Sequence, residues 1–200
     1  MSTTGHRERK KAATKQALSR AAVSLMLERG LHAVSGDAIA AAAGVAPRTF
    51  RNYFANKEQA VLFAAGDIQN RYVTTVLTRD PDEPVLDSLE AAAVALIESA
   101  GDLEQLVAGL RVIAHNPTLV AYRSASREAA SATLARCVAE RTGTDPDADI
   151  YPRLVSRCAD AVLQSVVESY ASGVIPREHL VTVVRRGFDQ LRHGLERPSG

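Results

Sequence analysis

Residues 35–58 run Ser35-Gly36-Asp37-Ala38-Ile39-Ala40-Ala41-Ala42-Ala43-Gly44-Val45-Ala46-Pro47-Arg48-Thr49-Phe50-Arg51-Asn52-Tyr53-Phe54-Ala55-Asn56-Lys57-Glu58. Two short helices can be read from them. Ser35 is an N-cap acceptor for a helix through Ile39 to Ala43. Gly44-Val45-Ala46 is a tight turn, and Pro47 stands at the first position of the next helix, where its missing N–H is not needed. Together they make a helix-turn-helix. Ala40 and Ala41 are small enough for close helix approach, and Val45 can plug the corner. Phe50 and Phe54 lie four apart on one helical face and are assigned to a small core beneath the motif. Arg48, Thr49, Arg51, Asn52 and Tyr53 are left for the exposed side. Pro47-Arg48-Thr49 puts polar and cationic groups at the end of the second helix that, in such motifs, enters a major groove.

Outward from this stretch, the pattern stays helical. Ala17, Leu18, Ala21, Ala22, Leu25 and Met26 recur at three- and four-residue steps in a helix expected from Glu8 to Glu28, with Gly30 just past its end. Asn56 caps a longer helix to about Thr78. Beyond an exposed loop, Asp80-Pro81-Asp82-Glu83-Pro84, helices are expected at 85–100, 103–115, 117–141, 150–172 and 177–195. No segment alternates apolar and polar residues as a strand does. The fold class is all-α with about nine helices: an N-terminal three-helix domain over 1–56 and a helical domain over 57–197.

The chain has 200 residues, 24 Lys+Arg and 23 Asp+Glu, but the charge is uneven. Residues 1–60 hold ten basic and four acidic side chains; the rest hold fourteen and nineteen. A basic head on an acidic body points to a polyanion partner for the head. A solvated basic face has the same composition, so charge alone does not choose. With 46% hydrophobic residues, no long apolar run and no apolar leader pattern, the chain is expected to be soluble and cytoplasmic, without a membrane partner. Two cysteines, Cys137 and Cys158, do not make a disulfide framework.

The residues of the motif closely resemble the tetracycline-repressor (TetR) family of bacterial transcriptional regulators. Ala40-Ala41-Ala42-Ala43-Gly44-Val45, Arg48-Thr49-Phe50, Tyr53-Phe54, Asn56-Lys57-Glu58 and the preceding Glu28-Arg29-Gly30 carry that resemblance. It implies a DNA-binding regulator, a repressor released from a palindromic operator by a small molecule. It also implies phosphate contacts from Ser35, Lys57 and Tyr53, and base-edge or phosphate contacts from Arg48, Thr49, Arg51 and Asn52. The chemistry of these side chains agrees. A capped helix start offers N–H groups to an anion, Arg can read guanine, and Asn can read adenine. Gly36 and Ala46 depart from the family pattern by lacking polar side chains, which throws base reading onto Arg48, Arg51 and Asn52. Lys10, Lys11 and Lys15 can add backbone or minor-groove contacts, or simply be solvated. The stretch 82–141, with Arg111-Val112-Ile113, Asn116-Pro117 and Tyr122-Arg123, is similar to a subgroup typified by mycofactocin-system regulators. For that subgroup the expected effector is mostly apolar, an acyl chain or acyl-CoA.

The body supplies less. Candidate lining residues for an effector pocket are Leu96, Leu110, Ile113, Tyr122, Leu163, Val166 and Tyr170, although each also reads as plain core. In 150–172 and 177–195 the apolar positions are wider than one stripe: Leu154, Val155, Cys158, Ala161, Val162, Leu163, Val166, Val167 and Tyr170, then Leu180, Val181, Val183, Val184, Phe188, Leu191 and Leu195. A second copy forming a four-helix bundle would absorb the excess, and so would a thick monomer core. Asp145-Pro146-Asp147-Ala148-Asp149 mimics the start of a calcium loop, but Ile150 and Ser156 stand where glycine and glutamate are required. Phosphate-loop, nucleophile-elbow and zinc-hydrolase motifs do not occur, and neither an enzyme activity nor a cofactor is expected. The rival readings are an architectural DNA-binding protein without base preference and a helical carrier of apolar ligands.

Overall fold

The computed structural model describes residues 3–99 and 103–195, and among them the chain is all-α: nine helices, a 3-10 turn and no strand. The helices are α1 (Thr3–Arg29), α2 (Gly36–Ala42), α3 (Pro47–Tyr53), α4 (Lys57–Leu77), α5 (Val85–Ser99), α6 (Leu103–Ala114), α7 (Pro117–Thr142), α8 (Ile150–Ala171) and α9 (Leu180–Arg192). Two helices differ from the sequence reading by more than a residue. Helix α1 starts at Thr3, five residues before Glu8. The last segment is a 3-10 turn over Arg177–His179 followed by α9, which stops at Arg192 because Gly194 and Leu195 both turn to positive φ. The expected ends at residues 100 and 197 lie outside the described residues.

The chain divides into two compact units. The first is Met1–Asp67 with Asp102–Ser124, and the second is Ile68–Gly101 with Ala125–Gly200. This packing does not follow the division at residue 56: α6 and the start of α7 belong with the first three helices. Helices α4 and α7 each run from one unit into the other.

The first unit is built on the face of α1 that carries Leu18, Ala22, Leu25 and Met26, all buried. Ile39 and Ala40 of α2, Phe50 of α3, Phe54 just after it, Ala60 and Val61 of α4, and Val112 and Ile113 of α6 join it in the core. Gly109 of α6 faces α1 and α4: a Cβ there would lie 3.8 Å from Val23 Cγ2 and 4.0 Å from the Val61 carbonyl oxygen, ordinary packing distances.

In the second unit, Leu89, Ala92 and Ala93 of α5 are buried together with Val155, Ala159 and Val166 of α8 and Leu180, Val184 and Phe188 of α9. Helices α8 and α9 approach so closely at Gly187 that a Cβ there would lie 2.6 Å from Val162 Cγ1. Arg192 of α9 pairs with Asp87 at 2.6 Å and Glu90 at 2.7 Å on α5. The loop after α4 is also tied down. Arg79 forks onto Glu83, Ser88 donates to the same carboxylate, and Arg141 donates to the carbonyls of Asp80, Pro81 and Glu83 and to Ser88 Oγ. The Arg79 guanidinium, and after it the Ser88 hydroxyl, hold the Glu83 carboxyl down at about 2.

Candidate nucleic-acid interface

The helix-turn-helix is closed by backbone hydrogen bonding that its sequence dictates. Gly44 takes φ +68°, and two bonds seal the end of α2: Gly44 N–H to Ala41 O at 3.1 Å and Val45 N–H to Ala40 O at 2.9 Å. That pair is a Schellman motif, which needs a left-handed residue after the helix and so selects glycine. Val45 then packs against the core, as its place at the corner suggested. At the other end of α2, Ser35 Oγ accepts from Ala38 N–H at 3.2 Å.

Helix α3 has a buried and an exposed side. Phe50 and Phe54 are each 4% exposed, with ring centroids 5.9 Å apart, and Phe54 meets Phe63 edge-on at 5.8 Å. Burying such a ring stabilises a fold by about 1.5–3 kcal/mol, so this pair fixes how α3 sits on the unit. Arg48, Arg51 and Asn52 are exposed, as is Ser35, while Thr49 and Tyr53 are half-buried. Tyr53 packs on the core cluster, so it is less outward than its place in the sequence implied.

Two cations turn out to have internal partners. Lys57 is half-buried, and its Nζ donates to the carbonyls of Leu31 at 2.6 Å and Val34 at 3.0 Å. It therefore ties the start of α4 to the turn before α2. Lys15 Nζ sits 4.4 Å from the Phe63 ring centroid and 5.7 Å from that of Phe54, within cation–π range of both. Lys10 and Lys11 are exposed. Neither internal contact has a signal in the spacing, because the partners are backbone carbonyls and rings far along the chain.

Two further features escaped the sequence reading. Gly36 had looked like a missing polar contact, yet a Cβ there would lie 2.8 Å from Phe50 Cε1, so the ring itself excludes a side chain. Asp37, in the first turn of α2, accepts from Arg51 Nη1 at 3.2 Å, and both side chains are about two-thirds exposed.

The pocket candidates are distributed over both units. Leu110 and Ile113 belong to the core of the first unit, and Tyr122, in the same unit, is 63% exposed. Leu96, Leu163, Val166 and Tyr170 are in the second unit, with Val166 buried and the other three half-buried. In that unit Tyr72 is buried and its hydroxyl reaches the Leu89 carbonyl at 3.4 Å. Burial, and secondarily the nearby Asp160, push its phenol far above the usual range. Asp160 itself pairs with Arg127 of α7 at 2.5 Å.

On α8 and α9 the wide apolar faces are only partly used within the chain. Val155, Val166, Leu180, Val184 and Phe188 are buried; Cys158, Val162, Leu163, Val167, Tyr170, Val181, Val183 and Leu191 are half-buried; Leu154, Ala161 and Leu195 are exposed. Ile150 is 76% exposed. Two carboxylates of the Asp145 loop are spent on its own backbone. Asp145 Oδ1 accepts from the N–H groups of Asp147 and Ala148, and Asp149 Oδ2 from that of Asp145. Among the described residues no group of His, Cys, Asp and Glu has the arrangement of a metal site, and no helix is long and apolar enough to cross a membrane.

Comparison with known proteins fits this geometry. Residues 18–64, which hold the helix-turn-helix, match the family model for bacterial regulatory proteins of the tetR family, and residues 83–196 match the MftR C-terminal domain. The second match covers all but the first residue of the stretch 82–141 that had suggested mycofactocin-system regulators and continues through α8 and α9. The HTH-type transcriptional regulator TcmR of Streptomyces glaucescens is 31% identical over 196 residues, spanning 94% of this chain and 87% of that protein. Among solved structures, a TetR-family transcriptional regulator from Syntrophomonas wolfei superposes with TM-score 0.69 at 16% identity, over 92% of this chain and 97% of its own. FadR of Thermus thermophilus, a TetR-family repressor solved with lauroyl-CoA, gives 0.57 at 20% identity over 93% of this chain and 100% of its own. With a helix-turn-helix head, a matched C-terminal domain and a relative at 31% identity along nearly its whole length, this chain belongs to the TetR family of transcriptional regulators.

Proposed function

We propose that the protein is a cytoplasmic homodimer that binds a palindromic DNA operator and is released from it by a small, largely apolar effector. The observation that carries this reading is the two-sided α3. Phe50 and Phe54 hold the helix on its core, and Arg48, Arg51 and Asn52 point away from it. A fixed helix with forked donors on its outer side is what base reading in a major groove requires. Ser35, Thr49, Tyr53 and Lys57 take the flanking phosphates. Lys57 has two of its three ammonium donors on carbonyls and keeps the third for this contact.

The uncovered apolar residues of α8, Leu154 and Ala161, together with the half-buried Val181 and Val183 of α9, favour a second copy as the partner of that face. A dimer presents two copies of α3 to major-groove faces about 34–36 Å apart. The proposed effector class, an acyl chain or acyl-CoA, draws on the MftR-type C-terminal domain and on the lauroyl-CoA held by the Thermus fold neighbour. Leu96, Leu163, Val166 and Tyr170 are the proposed lining in the second unit. The continuous α4 is the proposed lever, and a coupling of about 1–3 kcal/mol is enough to change DNA affinity roughly 5–150-fold. The protein acts by binding, without a catalytic step.

The test is enrichment of duplexes from a randomised pool by the full-length protein, followed by footprinting of the enriched sites. The expected product is a twofold-symmetric site. Lys57→Ala should weaken binding to all sequences alike and reduce the salt slope by about 0.9. Arg51→Ala and Asn52→Ala should relax preference at particular bases. Enrichment of no sequence over random DNA at equal salt overturns the reading in favour of an architectural protein.

A further inference from the structure

The Arg51–Asp37 pair adds little to stability, beyond the small gain of an acidic residue in the first turn of α2. Its two side chains are about two-thirds exposed and the contact is 3.2 Å, conditions under which an ion pair contributes little to folding. Its position is more informative than its strength. Asp37 is in the first turn of α2 and Arg51 is on the outer side of α3, fourteen residues later, so the pair spans the turn of the helix-turn-helix. A carboxylate on a surface that meets phosphates is electrostatically unfavourable. An arginine held at Nη1, however, keeps Nη2 and Nε available as a fork of fixed direction.

We infer that Asp37 is a specificity-determining residue that positions Arg51 for one base edge and discourages its capture by the DNA backbone. This rests on the DNA-reading proposal above. A guanidinium without a neighbour can swing among phosphates, which gain affinity for every sequence and preference for none. With Asp37 accepting one of its N–H groups, part of its charge is already neutralised. Contact with a phosphate is then worth less, while two parallel bonds to a guanine edge keep their geometry. Gly36 supports the arrangement from the other side: the Phe50 ring lies against it, so the first turn of α2 and the middle of α3 are held in register next to the pair.

The experiment measures binding of wild type, Asp37→Ala, Asp37→Asn, Arg51→Ala and the Asp37→Ala/Arg51→Ala double variant. The probes are duplexes enriched by the wild-type protein from a randomised pool and an unselected random duplex, at matched salt. For Asp37→Ala, removing a negative charge should tighten random-duplex binding by about 2–8-fold. Affinity for the enriched duplex should stay level or fall. The ratio between the two should drop about tenfold, with preference lost at the same base position that Arg51→Ala relaxes. The double variant should show no further loss at that position. Asp37→Asn keeps a polar side chain without the charge, and should lose preference as Asp37→Ala does if the charge does the positioning. Unchanged preference in Asp37→Ala, or effects of Asp37 and Arg51 that simply add, overturns the inference. If wild type enriches no sequence, the DNA-reading proposal fails first and this inference falls with it; enrichment with an Asp37-independent preference overturns this inference alone. Thermal melting of each variant, expected to match wild type closely, separates these outcomes from misfolding.

Discussion

Arg51 on the helix-turn-helix and Arg141 at the end of α7 are the same side chain in opposite employment. Arg141 is half-buried and donates to three carbonyls and a hydroxyl of the loop and helix start between Asp80 and Ser88. Arg51 is about two-thirds exposed and has one carboxylate partner, Asp37. The first consumes its donors to hold its own unit together; the second leaves most of them exposed to solvent. Around each arginine the surroundings follow suit. The second unit closes its polar contacts internally, through Arg79–Glu83–Ser88 and Arg192–Asp87–Glu90, whereas the outer side of α3 is left open. A side chain's role is set by how much of its bonding capacity the fold itself absorbs.

Substituting both arginines is the largest test of that contrast. Arg141→Met leaves three backbone carbonyls and Ser88 without their donor, a loss of about 2–3 kcal/mol. For a chain of this size that corresponds to a melting temperature lower by roughly 5–10 °C. Arg51→Ala should move the melting temperature by no more than about 2 °C, since exposed substitutions stay within about 0.5 kcal/mol. DNA binding should respond in the reverse order, and equal thermal losses would erase the distinction. A second test compares the two close approaches. Gly187→Ala drives a methyl to 2.6 Å from Val162 Cγ1, and Gly36→Ala drives one to 2.8 Å from the Phe50 ring. Overpacking of this kind costs about 1–3 kcal/mol, less the helix propensity gained from alanine. Val162→Ala should restore much of the stability lost in Gly187→Ala. Gly36→Ala should additionally weaken DNA binding, because the ring it displaces is the anchor of α3.

The sequence made the helix-turn-helix legible because its rules are local. Ser35, Gly44, Pro47 and the Phe50/Phe54 spacing each act within a few residues, and the structure places each as its chemistry requires. The helices of the body were legible for the same reason, through caps and breaks at Asn116-Pro117 and Ser172-Gly173. What could not be read is long-range. Arg141 reaches back about sixty residues, Lys57 reaches carbonyls more than twenty residues earlier, and Lys15 finds Phe63. No periodicity encodes such partners. The grouping of α6 with α1 was hidden as well, since an amphipathic helix shows which face it buries but not against which neighbour. The pocket candidates show the same thing: Ile113 and Leu163 look alike in sequence, yet they belong to different units.

The smallest effect expected is also the most selective. Glu83 is held by Arg79 and Ser88, and its carboxyl ionises at about 2 in the folded chain against an ordinary 4.5. A carboxylate whose folded value is depressed stabilises the fold at any pH above the unfolded value. That contribution disappears as the pH falls through the folded one. The stability owed to Glu83 is therefore complete above about pH 4.5 and is lost progressively toward pH 2. Glu83→Gln removes the titration but retains an oxygen for Arg79, so its acid limb should be flatter than that of wild type over this window, with a lower plateau near neutrality. Melting temperatures taken at half-unit steps from pH 6 to pH 2 read the difference directly. Because the loop belongs to the unit that closes its contacts internally, DNA binding near neutral pH should not distinguish Glu83→Gln from wild type. A change in base preference in that variant would mean that the loop and the reading helix are coupled, and that the contrast between the two arginines is less complete than their bonding suggests.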